Sequence, residues 1–108
     1  MELTKKRCVP CEGGLPALDP EQVDKLQSQV PGWLVETENR KLHRQFKFAS
    51  FAENMAFIGR MAELAEAEGH HPDFCVRYHV LDVALTTHAI GGLSENDFIL
   101  AAKINQLV

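Results

Sequence analysis

Three of the chain's five histidines fall in two short stretches, Glu66-Ala67-Glu68-Gly69-His70-His71-Pro72 and Thr86-Thr87-His88. An imidazole gains and loses its proton near neutral pH, so such a cluster suits general acid–base work in both directions on one substrate. His70 and His71 sit at a predicted helix-to-strand corner, where Pro72 restricts the exit direction. Neighbouring side chains on a strand point to opposite faces, so both rings line one pocket only if the backbone turns there. Gly69 and Pro72 favour that turn. His88 falls at the end of a predicted strand, from which a side chain projects into a cleft beyond the sheet. Glu66 lies about one helical turn before His70, where a carboxylate can raise an imidazole's pKa and hold its tautomer.

Other readings of these residues exist. Adjacent histidines are more often surface groups than catalysts, and Glu66 fits a solvated helix position. Asp97 is the third residue after Ser94, where a carboxylate is favoured for capping alone. Cys8-x-x-Cys11 has ligand spacing, and His70, His71 and His88 could complete a zinc set. Against that, a structural zinc site shows two spaced pairs, and this pair lies in a polar stretch with no strand before it. We therefore expect no metal. No nucleophile elbow, phosphate-cradling glycine loop or dinucleotide fingerprint is present.

The elements that must position these residues follow from local signals. Residues 1–17 lack periodicity and read as a flexible N-terminal tail. Asp19-Pro20-Glu21-Gln22 is a capping box with proline in the first turn, flanked by Leu18 and Val23 as a hydrophobic staple. The helix it opens should end near Val30, before Pro31-Gly32. Trp33 to Glu38 and Leu42 to Phe48 read as a hairpin, with Leu42, Phe46 and Phe48 on one face. Ser50 and Glu53 open a long helix that should stop at Gly69. Its apolar residues cover an arc of about 180°, wider than the roughly 100° stripe that docks a helix on one sheet. The surplus calls for a second partner, another subunit, or cover from the tail or the third helix. Phe74, Val76 and Tyr78 alternate, as do Leu81, Val83, Leu85 and Thr87, with a turn near His79-Val80. Ser94 caps a last helix that runs to the chain end, with Leu93 and Phe98 as its staple. The order helix-strand-strand-helix-strand-strand-helix predicts an α+β fold: a small four-stranded antiparallel sheet with three helices packed on one face, in a single domain over residues 18–108.

At 108 residues the chain suits one domain, and 45% hydrophobic with 24% charged residues is ordinary globular composition. A net charge of −4 argues against nucleic acid, whose phosphates need a basic patch. No apolar run approaches the roughly 20 residues needed to span a bilayer, and the charged start Met1-Glu2-Leu3-Thr4-Lys5-Lys6-Arg7 lacks a signal-peptide core. No membrane partner is expected, and the location implied is cytoplasmic. Three cysteines are too few for a disulfide scaffold.

The pattern Glu66-x-x-x-His70-His71-Pro72, then Tyr78, His88 and Asp97, resembles the signature of the pterin-4a-carbinolamine dehydratases. Pro31-Gly32-Trp33, Thr87-His88 and Gly92-Leu93-Ser94 are similar to that family too, and the likeness covers residues 18 to 107. The resemblance implies a hydro-lyase that removes water from 4a-hydroxytetrahydropterin to give quinonoid dihydropterin, in pterin recycling for aromatic amino acid hydroxylation. It implies no cofactor, since the pterin is the substrate. By the same resemblance His70, His71 and His88 are catalytic, with acid and base unassigned between His70 and His88, and His71 helping at N5. Glu66, His71, Thr87 and Asp97 are substrate-binding candidates; Glu66 orients a histidine or hydrogen-bonds the pterin ring, and Asp97 supports His88 or the pocket wall. The family likeness further implies a homo-oligomer, dimer or tetramer, and a functional link to an aromatic amino acid hydroxylase. Two alternatives stay open: an oligomeric binding or coactivator module using its helical surface, and a dehydratase-like protein acting on another pterin in molybdenum-cofactor metabolism.

Overall fold

The structure is a computed structural model that describes residues 2–10, 16–36, 38 and 40–108. Three helices, α1 (Pro20–Gln27), α2 (Phe51–Glu68) and α3 (Glu95–Asn105), accompany four strands, β1 (Leu34–Glu36), β2 (Lys41–Lys47), β3 (Asp73–Arg77) and β4 (Val80–Leu85). All neighbouring strands pair antiparallel, in the order β1-β2-β4-β3. The fold is the expected α+β arrangement.

The register explains which face is buried. Leu42 opposes Leu85, Arg44 opposes Val83 and Phe46 opposes Leu81, so the apolar residues of β2 and β4 share one face. Leu81, Val83 and Leu85 are fully buried there. Phe57 and Met61 of α2, and Phe98, Leu100 and Ile104 of α3, join them in one core. The other face of the central strands carries His43, Gln45 and Asp82. Gln45 donates to Asp82 at 3.0 Å, and burial of Asp82 is outweighed by hydrogen bonds from Gln45 and Arg77, which hold its carboxyl below the usual range.

The caps behave as read. Asp19 and Gln22 form a reciprocal capping box, and Ser50 accepts from the Glu53 amide. Gly69 ends α2 in the left-handed conformation, φ 66°, and the His70 amide reaches back to the Ala65 carbonyl at 3.3 Å. That reversal sends His70 and His71 toward the sheet. Asn54, fully buried in α2, donates to the carbonyls of Tyr78 and Val80 at 3.0 and 3.2 Å and so pins the β3–β4 turn.

Several expectations need correction. α1 ends at Gln27, and a tight turn then carries the chain to Val30. Gly32, at φ 87°, turns the chain so that Trp33 precedes β1 and is buried in the core. Tyr78 leaves the β3 alternation: it sits in the turn at φ 55° and is 70% exposed. β4 stops at Leu85, and His88 opens a 3-10 turn (His88–Ile90) rather than ending a strand. α3 stops at Asn105, short of the chain end.

The tail reading is corrected for residues 2–10. Leu3–Lys5 forms a 3-10 turn, Leu3 is buried in the core, and Lys6 pairs with Glu95 of α3 at 2.9 Å. Non-periodic backbone was held in place by distant side chains, which no local pattern announces. Residues 11–15, including Cys11, lie outside the described residues. The surplus apolar arc of α2 is only partly covered. Phe57 and Met61 are buried, while Phe51 and Met55 keep 49% and 44% exposure. Among the described residues, no helix is long and apolar enough to cross a membrane.

Candidate active site

A cleft of about 300 Å³ opens between the end of α2, the 86–89 loop and the N-terminal end of α3, and His70, His71 and His88 all line it. That volume is at the low end of small-molecule sites. The two distant histidine stretches are therefore brought to one hollow.

His70 is the most firmly held of the three. Its Nε2 lies 2.6 Å from Asp97 Oδ1. Asp97 is fully buried, and its other oxygen accepts from the Thr87 hydroxyl at 2.8 Å and the Ser94 amide at 2.9 Å. A buried carboxylate is costly unless fully hydrogen-bonded, and three donors meet that requirement. An ionised carboxylate only accepts, so this contact calls for the His70 tautomer that donates from Nε2. Asp97 thus caps α3 and orients an imidazole at once. It supports His70, not His88, because α3 begins beneath the α2–β3 corner.

Thr87 lines the cleft, but its hydroxyl is committed to Asp97 and to Ser94 Oγ at 2.7 Å, and the residue is only 4% exposed. Its side chain positions Asp97. Its backbone closes the loop that carries His88: the Thr87 amide donates to the Gly92 carbonyl at 2.9 Å.

Glu66 pairs with a histidine, and that histidine is His71 rather than His70. Its Oε2 lies 2.7 Å from His71 Nε2, with side chains 78% and 60% exposed. The chain reversal at Gly69 swings His70 inward and leaves His71 facing Glu66. His88 is the most open, its side chain 83% exposed and 3.9 Å from Asp73.

Val9, Pro10 and Asn96 are among the lining residues that had been given no role. Asn96 had one usable signal, its place beside Asp97 at the start of α3. Cys8, next to Val9, is half-buried, and burial, reinforced by the charge of Glu68, pushes its thiol up to about 12. A thiol kept protonated is a poor metal ligand or nucleophile. Among the described residues no three His, Cys, Asp or Glu side chains converge as a metal site.

A small α+β fold with imidazoles from a helix–strand corner and a 3-10 turn around one cleft, one of them backed by a buried carboxylate, is an arrangement suited to acid–base chemistry. Residues 16–107 match the family described as pterin 4 alpha carbinolamine dehydratase, and the chain belongs to that family. A provisionally named pterin-4-alpha-carbinolamine dehydratase of Halorhodospira halophila is 48% identical over 107 residues, covering 99% of this chain and 98% of its own. One of Rubrobacter xylanophilus, with the same provisional name, is 45% identical over 106 residues, 98% of each chain. The crystal structure of a transcriptional coactivator/pterin dehydratase from Brucella melitensis superposes with a TM-score of 0.80 at 30% identity, over 84% of this chain and 97% of that one. A pterin dehydratase-like RuBisCO assembly factor of the alpha-carboxysome gives 0.62 at 26% identity, over 70% and 88%.

Proposed function

We propose that the chain is a hydro-lyase that removes water from 4a-hydroxytetrahydropterin. The observation that carries this reading is the convergence of His70, His71 and His88 on one cleft, with His70 held on buried Asp97. Hydroxide is a poor leaving group, so one imidazole protonates the C4a hydroxyl, which departs as water. The other takes the N5 proton, and the electron pair left behind forms the C4a–N5 double bond of quinonoid dihydropterin. His70 and His88 share these two roles. His71, steadied by Glu66, sits beside them and supports the proton transfer at N5.

The reaction needs no cofactor, and the product is suited to recycling for an aromatic amino acid hydroxylase in the cytoplasm. Phe51 and Met55, half-exposed one helical turn apart on α2, support a homo-oligomer, dimer or tetramer. They also favour a second reading, a binding or coactivator module. Under that reading, polar substitutions at Phe51 and Met55 abolish partner capture while dehydration survives.

The test is a spectral assay for loss of 4a-hydroxytetrahydropterin. His70→Ala and His88→Ala should each lower turnover by at least about tenfold, below the usual contribution of an acid–base group. Wild-type turnover in both variants would remove the assignment.

A further inference from the structure

Residues 8–10 lie upstream of the stretch that defines the family, and the acid–base reading leaves them idle. They are nevertheless built into the site. Val9 and Pro10 line the same cleft as His70, His71 and His88. The Val9 amide donates to Asn96 Oδ1 at 3.0 Å, and Asn96 Nδ2 donates back to the Val9 carbonyl at 2.5 Å. One buried side-chain amide thus pairs with the strap as a neighbouring strand would. Glu68, at the end of α2, accepts from the Cys8 amide at 2.8 Å and from Lys103 Nζ at 2.7 Å. Glu68 and Lys103 side chains are only 8% and 13% exposed. Burial opposes the ionisation of Glu68, but hydrogen bonds from Lys103 and the Cys8 amide, with the Lys103 charge, hold its carboxyl below the usual range.

The anchors come from the same two helix ends that place the imidazoles: Asn96 adjoins Asp97, and Glu68 adjoins Gly69-His70. The wall and the proton-handling groups are therefore registered on one frame. What the wall offers the cleft is apolar, since Val9 is 63% exposed at the cleft mouth. An apolar side chain held open beside polar rings gains by being covered when a flat guest enters.

We propose that Cys8–Pro10 is a substrate-binding wall, in which Val9 and Pro10 grip one edge of the bound pterin by apolar contact and Asn96 and Glu68 are positioning residues. The guest's identity rests on the dehydratase reading. A wall of this kind acts on binding and leaves proton transfer alone, so its signature is a split between KM and kcat.

The experiment compares wild type, Val9→Ala, Asn96→Ala, Asn96→Asp and His88→Ala in the dehydration assay, with equilibrium dialysis of 7,8-dihydropterin as the non-reacting probe. Val9→Ala, an exposed position that leaves the backbone pairing intact, should raise KM and the probe's Kd roughly five- to tenfold, near the low end for lost methyl contacts in a pocket. Its kcat should stay within about twofold. Asn96→Ala should raise KM at least as much. Asn96→Asp, which keeps the acceptor for the Val9 amide, should recover part of that loss. Unchanged KM and Kd in Val9→Ala and Asn96→Ala, or a fall in kcat at unchanged KM, overturns the wall. If His88→Ala still loses turnover in that case, the dehydratase reading stands without it. A wild-type chain that neither consumes the carbinolamine nor binds the probe overturns both.

Discussion

His70 and His71 are neighbours in the chain, and each holds Nε2 against a carboxylate, at 2.6 and 2.7 Å. The two pairs are nonetheless different objects. The His70 and Asp97 side chains are 13% and 0% exposed, whereas His71 and Glu66 are 60% and 78% exposed. Water and salt screen the outer pair, and two mobile side chains must be ordered to form it. The inner pair has nowhere else to turn, because Asp97 also holds Thr87 and Ser94. Distance alone therefore does not rank these contacts. Burial and the number of donors on the carboxylate do, and they make His70 the most firmly held of the three imidazoles, with His71 and His88 more open.

The comparison is broken most directly at Asp97. Asp97→Ala strands three donors, one buried and two part-buried, so it should cost about 3 kcal/mol of stability and lower turnover about a hundredfold or more. Urea unfolding with a wild-type midpoint would show the inner pair to be no stronger than the outer. His88→Ala separates chemistry from folding. The roughly tenfold loss of turnover should come with a stability change within about 0.5 kcal/mol, since the ring is mostly in solvent.

The buried carboxylate of Glu68 sharpens the contrast through pH. Its folded pKa is depressed below the ordinary 4.5, so the stabilisation is complete above that value and drains away as pH falls through the folded one. Urea midpoints from about pH 6 down to about pH 3 should fall less steeply in Glu68→Gln than in wild type. Parallel slopes would refute this. The smallest effect belongs to the outer pair. Glu66→Gln should change stability by less than about 0.5 kcal/mol and turnover by less than about threefold, read by the same two measurements. A larger loss would mean that Glu66 touches the substrate.

The elements were legible because their signals are local. Asp19, Ser50 and Ser94 announce three helix starts, Gly69 one helix end, and the alternation in Leu81, Val83 and Leu85 a half-buried strand. The candidate site was legible in part. His70, His71 and His88 stood out by type, but their partners did not, since spacing along the chain put Glu66 under His70 and left Asp97 ambiguous. One left-handed residue, Gly69, was enough to exchange those assignments. Val9 and Pro10 were invisible, because what places them is a pairing with Asn96 across 87 positions and a bond to Glu68 across 60.

Composition, caps and periodicity by themselves determined the α+β class, the helix starts, the apolar face and which side chains were able to handle protons. These follow from nearest-neighbour sterics and hydrogen bonding, which act over a few residues. Tertiary structure alone decided that Asp97 holds His70, that Glu66 holds His71, that Thr87 steadies a carboxylate, and that the chain's first residues wall the cleft. Those outcomes depend on which groups are removed from water together, and desolvation is a property of the packed whole rather than of any segment.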